Sequence, residues 1–119
     1  MKRTLVIGAS ENVERYSNKA IQSLRRHHHE VEAIGLRGGK VLDVTYGNEK
    51  LPFENIDTVT LYINPTLQET YYDYIISLAP KRVIFNPGTE NEQLARLLKH
   101  KNIEPVEACT LVLLATGQF

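Results

Sequence analysis

Leu5-Val6-Ile7-Gly8-Ala9-Ser10-Glu11-Asn12 runs from an apolar strand toward a helix that begins near Ser17. This is the pattern of the first strand and loop of a nucleotide-binding α/β domain. Gly8 is expected to let the backbone turn sharply off the strand, because a residue without Cβ reaches conformations closed to others. The amides beyond it then face open space and can hold an anion, with Ser10 and Asn12 adding polar side chains. A dinucleotide fingerprint needs G-x-G-x-x-G. Here Ser10 stands at the second glycine position and Val13 at the third, so ordinary docking of a pyrophosphate over glycine is not expected.

Outward from this loop, apolar runs and helical stretches alternate. Thr4 to Ile7 reads as a strand. Ser17 to about His27 reads as a helix, with Ala20, Ile21 and Leu24 on one face and Ser17 as its cap. Val31 to Ile34 is the second strand, and Leu36 to Phe53 is irregular, with a short edge strand at Val41 to Tyr46. Thr58 to Ile63 is β-branched and continuous, as a buried parallel strand should be. Pro65 stops it, at a place where a first helical turn tolerates proline. Thr66 to Leu78 is then helix, Arg82 to Phe85 strand, Asn91 to Lys101 helix, Glu104 to Val106 strand and Cys109 to Leu114 a short helix.

This order implies one α/β domain over residues 1–119, a doubly wound, mostly parallel five-stranded sheet with helices on both faces. The strand order would reverse between Thr4–Ile7 and Thr58–Ile63. Ligands in such sheets bind at the reversal, at the carboxyl ends of the strands. Gly8, Ala9 and Ser10 then face Ile63, Asn64 and Pro65, with Leu36-Arg37 and Asn86-Pro87-Gly88 along the same edge.

Fourteen basic and fourteen acidic side chains balance, so no overall field draws the chain to nucleic acid or a membrane surface. No apolar run approaches the ~20 residues of a membrane span. A single cysteine excludes an internal disulfide and fits a reducing compartment. The expectation is a soluble, cytoplasmic protein.

Arg37 and Lys40 follow the second strand, where an NAD enzyme would place an acid for the ribose hydroxyls. Basic groups there favour an adenosine whose ribose carries a phosphate, as in NADP or coenzyme A (CoA), or else form a solvated turn. Asn64-Pro65 and Asn86-Pro87-Gly88 can line a cleft or simply punctuate turns. Cys109, at a helix start, reads as a small buried hydrophobe, since no base accompanies it. His27, His28 and His29 cannot converge on a metal, because adjacent helical residues point about 100° apart. Tyr71, Tyr72 and Tyr74 read as packing residues of a core or an interface. No Ser-His-acid arrangement, metal-ligand spacing or P-loop is present, which leaves enzymatic activity without a visible carrier.

With these residues placed, the chain resembles the small stand-alone CoA-binding proteins of the succinyl-CoA synthetase-like Rossmann group. It is similar to the N-terminal CoA-binding domain of the succinyl-CoA synthetase α subunit. The carriers are Val6-Ile7-Gly8-Ala9-Ser10 with Ser17, Tyr62-Ile63-Asn64-Pro65, Phe85-Asn86-Pro87-Gly88 with Asn91, and Glu107-Ala108-Cys109-Thr110. The resemblance implies that Gly8, Ala9 and Ser10 meet the CoA phosphates, that Arg37 and Lys40 meet the phosphorylated ribose, and that Asn64 and Pro65 border the cleft. Val13 stands where the family commonly has proline, and His28 where it has glycine. A left-handed helix end at His28 would be strained by roughly 1 kcal/mol. Three functions stay open: a non-catalytic CoA or acyl-CoA module, an NADP-binding or redox-sensing protein using the same cleft, and an interaction protein with a vestigial nucleotide site that could pair as a homodimer through its tyrosine-bearing helix.

Overall fold

A computed structural model describes all residues, 1–119. Five strands form one parallel sheet: β1 (Thr4–Ala9), β2 (Val31–Gly35), β5 (Thr58–Leu61), β6 (Arg82–Phe85) and β7 (Glu104–Glu107). Their order is β2-β1-β5-β6-β7. The doubly wound, Rossmann-like α/β fold is as the sequence implied, with the reversal between β1 and β5.

Helices α1 (Tyr16–Arg26), α2 (Pro65–Gln68), α3 (Tyr72–Leu78), α4 (Glu92–His100) and α5 (Thr110–Ala115) complete the fold. Alternation along the strands sorts side chains to two faces. Leu5 and Ile7 of β1 join Val59, Leu61, Val83 and Phe85 against Ile75 of α3 and Leu94 and Leu98 of α4. Val6 and Ala9 face the other way, against Ile21 and Leu24 of α1 and Leu114 of α5. Every residue of the central strands β5 and the last three of β6 are buried, which is why they carry continuous apolar or β-branched runs. The edge strand β7 reads Glu104-Pro105-Val106-Glu107, and none of these residues is buried. Charge and proline there discourage a further strand from pairing.

Five local expectations are corrected. Gly8 does not turn the chain off the strand; β1 continues through it to Ala9. Gly8 instead forms a bulge at φ 101°, where the register against β2 shifts between Ile7 and Ala9. A Cβ there would stand 2.9 Å from the Tyr62 carbonyl oxygen, so glycine serves close strand approach as well as backbone freedom. Ser17 is not the cap of α1: Arg15 holds that position, without a side-chain bond, and Ser17 is buried inside the first turn. Val41 to Tyr46 is not one edge strand. It is part of an antiparallel hairpin, β3 (Gly39–Val41) and β4 (Val44–Tyr46), outside the main sheet. The turn works because Leu42 accepts φ 52°, while Val41, Val44 and Tyr46 bury themselves against the α1 side of the core. The helix expected over Thr66 to Leu78 is broken by a 3-10 turn at Glu69–Tyr71. Gln68 pins the break: its amide nitrogen donates to the carbonyls of Ile63 and Thr89, and its oxygen accepts from Asn91. Cys109 is half-buried rather than buried, because it leaves the exposed edge strand as the cap residue of α5.

Candidate functional site

A cavity of about 690 Å³ opens at the carboxyl ends of β1, β2 and β5. That is the size range of small-molecule and cofactor sites. From β1 and its loop come Gly8, Ala9, Ser10 and Asn12; from the first turn of α1 comes Ser17. Arg37 enters after β2, and Ile63 and Asn64 after β5. The fold thus brings together eight of the residues singled out in the sequence.

The loop is built from its own hydrogen bonds. Ser10 Oγ accepts from the Asn12 amide at 3.1 Å, and Asn12 Oδ1 accepts from the Glu14 amide at 2.9 Å. Asn18, buried under the loop, donates to the Ser10 carbonyl at 3.0 Å and ties it to α1. The amides of Tyr16 and Ser17 begin the helix and have no acceptor in the chain. They lie on the cavity wall, at the positive end of the helix dipole. Arg15 and Arg37 also line the wall, and neither forms an ion pair.

Five residues singled out in the sequence do not line the cavity. Asn86 is a correction. It is buried, and each side-chain polar atom is spent inside the protein. Its nitrogen donates to Thr60 Oγ1 at 2.6 Å and to the Leu61 carbonyl at 2.9 Å; its oxygen accepts from the Thr110 amide at 2.9 Å. It is a bracket joining β6 to β5 and α5. Pro87 and Gly88 are exposed beyond it. Pro65 occupies the first position of α2, and Asn64 Oδ1 caps that helix by accepting from the Leu67 amide at 2.9 Å. Asn64 also lines the cavity, and its amide nitrogen has no partner within the chain. Lys40 sits on the hairpin with its backbone amide bonded to Glu11.

Beyond the residues singled out as ligand contacts, the wall also takes Glu11, Glu14, Arg15, Tyr16, Gly38, Tyr46, Tyr62 and Leu67, and Leu36, which the sequence had placed along the same edge. Arg15 had a signal in the sequence, a cation just past the Gly8–Asn12 loop. Tyr62 had one as well, standing in Tyr62-Ile63-Asn64-Pro65 next to two residues singled out in the sequence; Tyr46 had none, since only the folded hairpin brings it in. The Tyr62 phenol is pushed up to about 12 by burial, against a smaller opposing effect of the neighbouring Thr110 and Thr60 hydroxyls. Those hydroxyls bond each other at 2.9 Å, and no well-formed bond reaches the Tyr62 oxygen. Tyr46 is raised by burial and then by the Glu11 charge.

Elsewhere, the three histidines do separate work. His27 Nδ1 lies 2.8 Å from the Ser23 carbonyl, His28 takes the left-handed conformation at φ 65°, and His29 Nδ1 accepts from the Lys2 amide at 3.0 Å. No group of three His, Cys, Asp or Glu side chains could hold a metal ion. No helix is long and apolar enough to cross a membrane. Tyr71, Tyr72 and Tyr74 pack against the α3–α4 side of the core. The Tyr74 hydroxyl donates to the Leu51 carbonyl at 2.5 Å, and the Tyr72 hydroxyl accepts from Asn91 at 2.9 Å.

Fold and cavity together define a Rossmann-like α/β protein with an open site at the carboxyl edge of its sheet, where a helix N-terminus meets the reversal in strand order. The CoA binding domain family matches residues 2–115, and the chain belongs to that family. Among solved structures, an uncharacterized protein is 52% identical with a TM-score of 0.97, the match covering 100% of this chain and 98% of that one. A conserved hypothetical protein from Pyrococcus furiosus shares the fold at 19% identity and TM-score 0.82, over 94% of this chain and 98% of that one. A hypothetical protein from Pyrococcus horikoshii OT3 does so at 24% identity and TM-score 0.84, over 93% and 80%. No match was found among curated proteins.

Proposed function

We propose that residues 1–119 act as one domain that binds CoA or acyl-CoA in this cavity without catalysing a reaction on it. The observation that carries the reading is the cavity itself, opened at the strand reversal in a chain of the CoA binding domain family. The free amides of Tyr16 and Ser17, beside Gly8, Ala9 and Ser10, supply donors for the diphosphate. Arg37 and the neighbouring Lys40 supply charge for the phosphate on the ribose. The wall contains no histidine and no cysteine, so imidazole and thiol chemistry have no carrier in it. Balanced charge supports a small-molecule ligand rather than nucleic acid, and the single cysteine supports a cytoplasmic setting. Against the alternative of an interaction protein, Tyr71, Tyr72 and Tyr74 are partly buried against the core, which leaves less of them for a partner. Calorimetric titration with CoA, acetyl-CoA and NADPH tests the reading. Saturable binding of CoA and acetyl-CoA, tighter than NADPH, is expected; preference for NADPH would replace it with the nicotinamide alternative.

A further inference from the structure

An acid stands in the loop that faces the cavity. Glu11 reaches from the β1–α1 loop across the mouth, and its Oε2 accepts a hydrogen bond from the Lys40 backbone amide at 3.0 Å. No other hydrogen bond joins this loop, residues 10–15, to the hairpin. The approach depends on Gly39. A Cβ on Gly39 would stand 2.7 Å from Glu11 Cγ, 2.9 Å from Glu11 Cδ and 2.7 Å from the Tyr46 hydroxyl. A side chain on Gly39 would displace Glu11 and the Tyr46 hydroxyl, so in this structure the place beside Gly39 is filled by the Glu11 side chain. Gly39 and Lys40 lie just past the end of β2, on the flank where the second strand of such a sheet delivers its ribose-contacting residue. The sequence has no acid at that strand end. Folding brings one there from the loop of the first strand.

We infer that Glu11 is a specificity-determining latch, whose carboxylate occupies the Lys40 amide in the free protein and must yield it when a ribose phosphate enters. The inference rests on the CoA reading above and deepens it by naming what sets preference at the ribose end. A carboxylate and a phosphate cannot share one amide donor without like-charge repulsion, so Glu11 opposes the attraction of Arg37 and Lys40. A ligand with an unphosphorylated ribose leaves the latch closed. Preference for a ribose phosphate is therefore a difference between two opposing local terms.

The test measures CoA and dephospho-CoA on wild type and Glu11→Gln by calorimetry, with amide exchange at Lys40 in the free proteins. Glutamine keeps the size and a neutral acceptor, and removes the charge. Glu11→Gln is expected to tighten CoA by about tenfold, the worth of one charged contact, and to change dephospho-CoA by less than about threefold. Exchange at the Lys40 amide should rise in free Glu11→Gln. An equal gain for both ligands would make Glu11 part of a general field, and overturn the latch. A loss for both would make it a grip on the ribose hydroxyls, and an unchanged CoA affinity would make the contact inert; each also overturns it. Wild type that binds either ligand keeps the CoA reading whatever Glu11→Gln does. Failure of both proteins to bind either ligand sinks that reading and the latch with it. CoA binding gained only in Glu11→Gln supports the latch in its strongest form.

Discussion

Truncating Asn86 to alanine separates a structural bracket from a ligand contact. Asn86 is 2% exposed and holds three side-chain bonds, to Thr60 Oγ1, the Leu61 carbonyl and the Thr110 amide. Each bond contributes about 1 kcal/mol net, and a buried amide left without an acceptor costs about 1–3 kcal/mol by itself. Thr110 opens α5, so its orphaned amide also loosens the attachment of that helix. The expected loss is about 3–4 kcal/mol, a large part of the ~5–15 kcal/mol that holds a domain together. For a chain of this size the melting temperature should fall by roughly 10–20 °C. Thermal and urea melts read the loss, and CoA titration well below the melting point reads affinity in the folded protein. Affinity should stay within about twofold of wild type. A melting temperature within a few degrees of wild type, coupled to a large loss of CoA affinity, would refute the bracket and return Asn86 to the ligand.

Three other outcomes are expected. His28→Gly should raise stability by about 0.5–1 kcal/mol in a urea melt, because His28 sits at φ 65° where glycine is unstrained. Ser10→Tyr should abolish CoA binding while circular dichroism stays unchanged. Ser10→Ala, which loses only the bond to the Asn12 amide, should weaken binding by no more than about tenfold. His29 lies below its ordinary value of 6.5, chiefly through burial and then through nearby positive charge from the N-terminus, His27, Lys2 and Arg82. The unfolded chain therefore takes up this proton first, so the His29 contribution is level above about pH 6.5 and stability is lost as pH falls through that value toward the folded one. Melts from pH 8 to 5 should show a loss that His29→Gln reduces; an identical pH profile in the variant would remove His29 as its source.

Strands were legible where burial is complete on both faces. Thr58 to Leu61 and Arg82 to Phe85 carry runs that no solvent-facing element would, and the reversal between β1 and β5 followed from their order. The hairpin was hidden because its turn uses Leu42 at φ 52°, without the glycine or asparagine that signals such a turn. The break after Gln68 was hidden for a different reason. Local periodicity runs through it, and only tertiary bonds from Gln68 to Ile63, Thr89 and Asn91 mark the interruption. At the site, the β1 loop and Arg37 were readable, and the placement of the acid was not. Gly8 through Asn12 mark the loop that lines the cavity, but Glu11 meets Lys40 across 29 positions of sequence, through a hairpin not foreseen. Asn86 misled because Asn-Pro-Gly has the composition of a turn, and whether an asparagine faces a cleft or a core depends on which neighbours fold over it.

The central claim is that the carboxyl-edge cavity holds CoA. Calorimetric titration of CoA into the wild-type chain, repeated with Ser10→Tyr, tests it most directly. Wild type is expected to bind CoA saturably at one per chain, and the folded Ser10→Tyr variant not at all. No saturable binding by wild type, or full affinity in Ser10→Tyr, would contradict it.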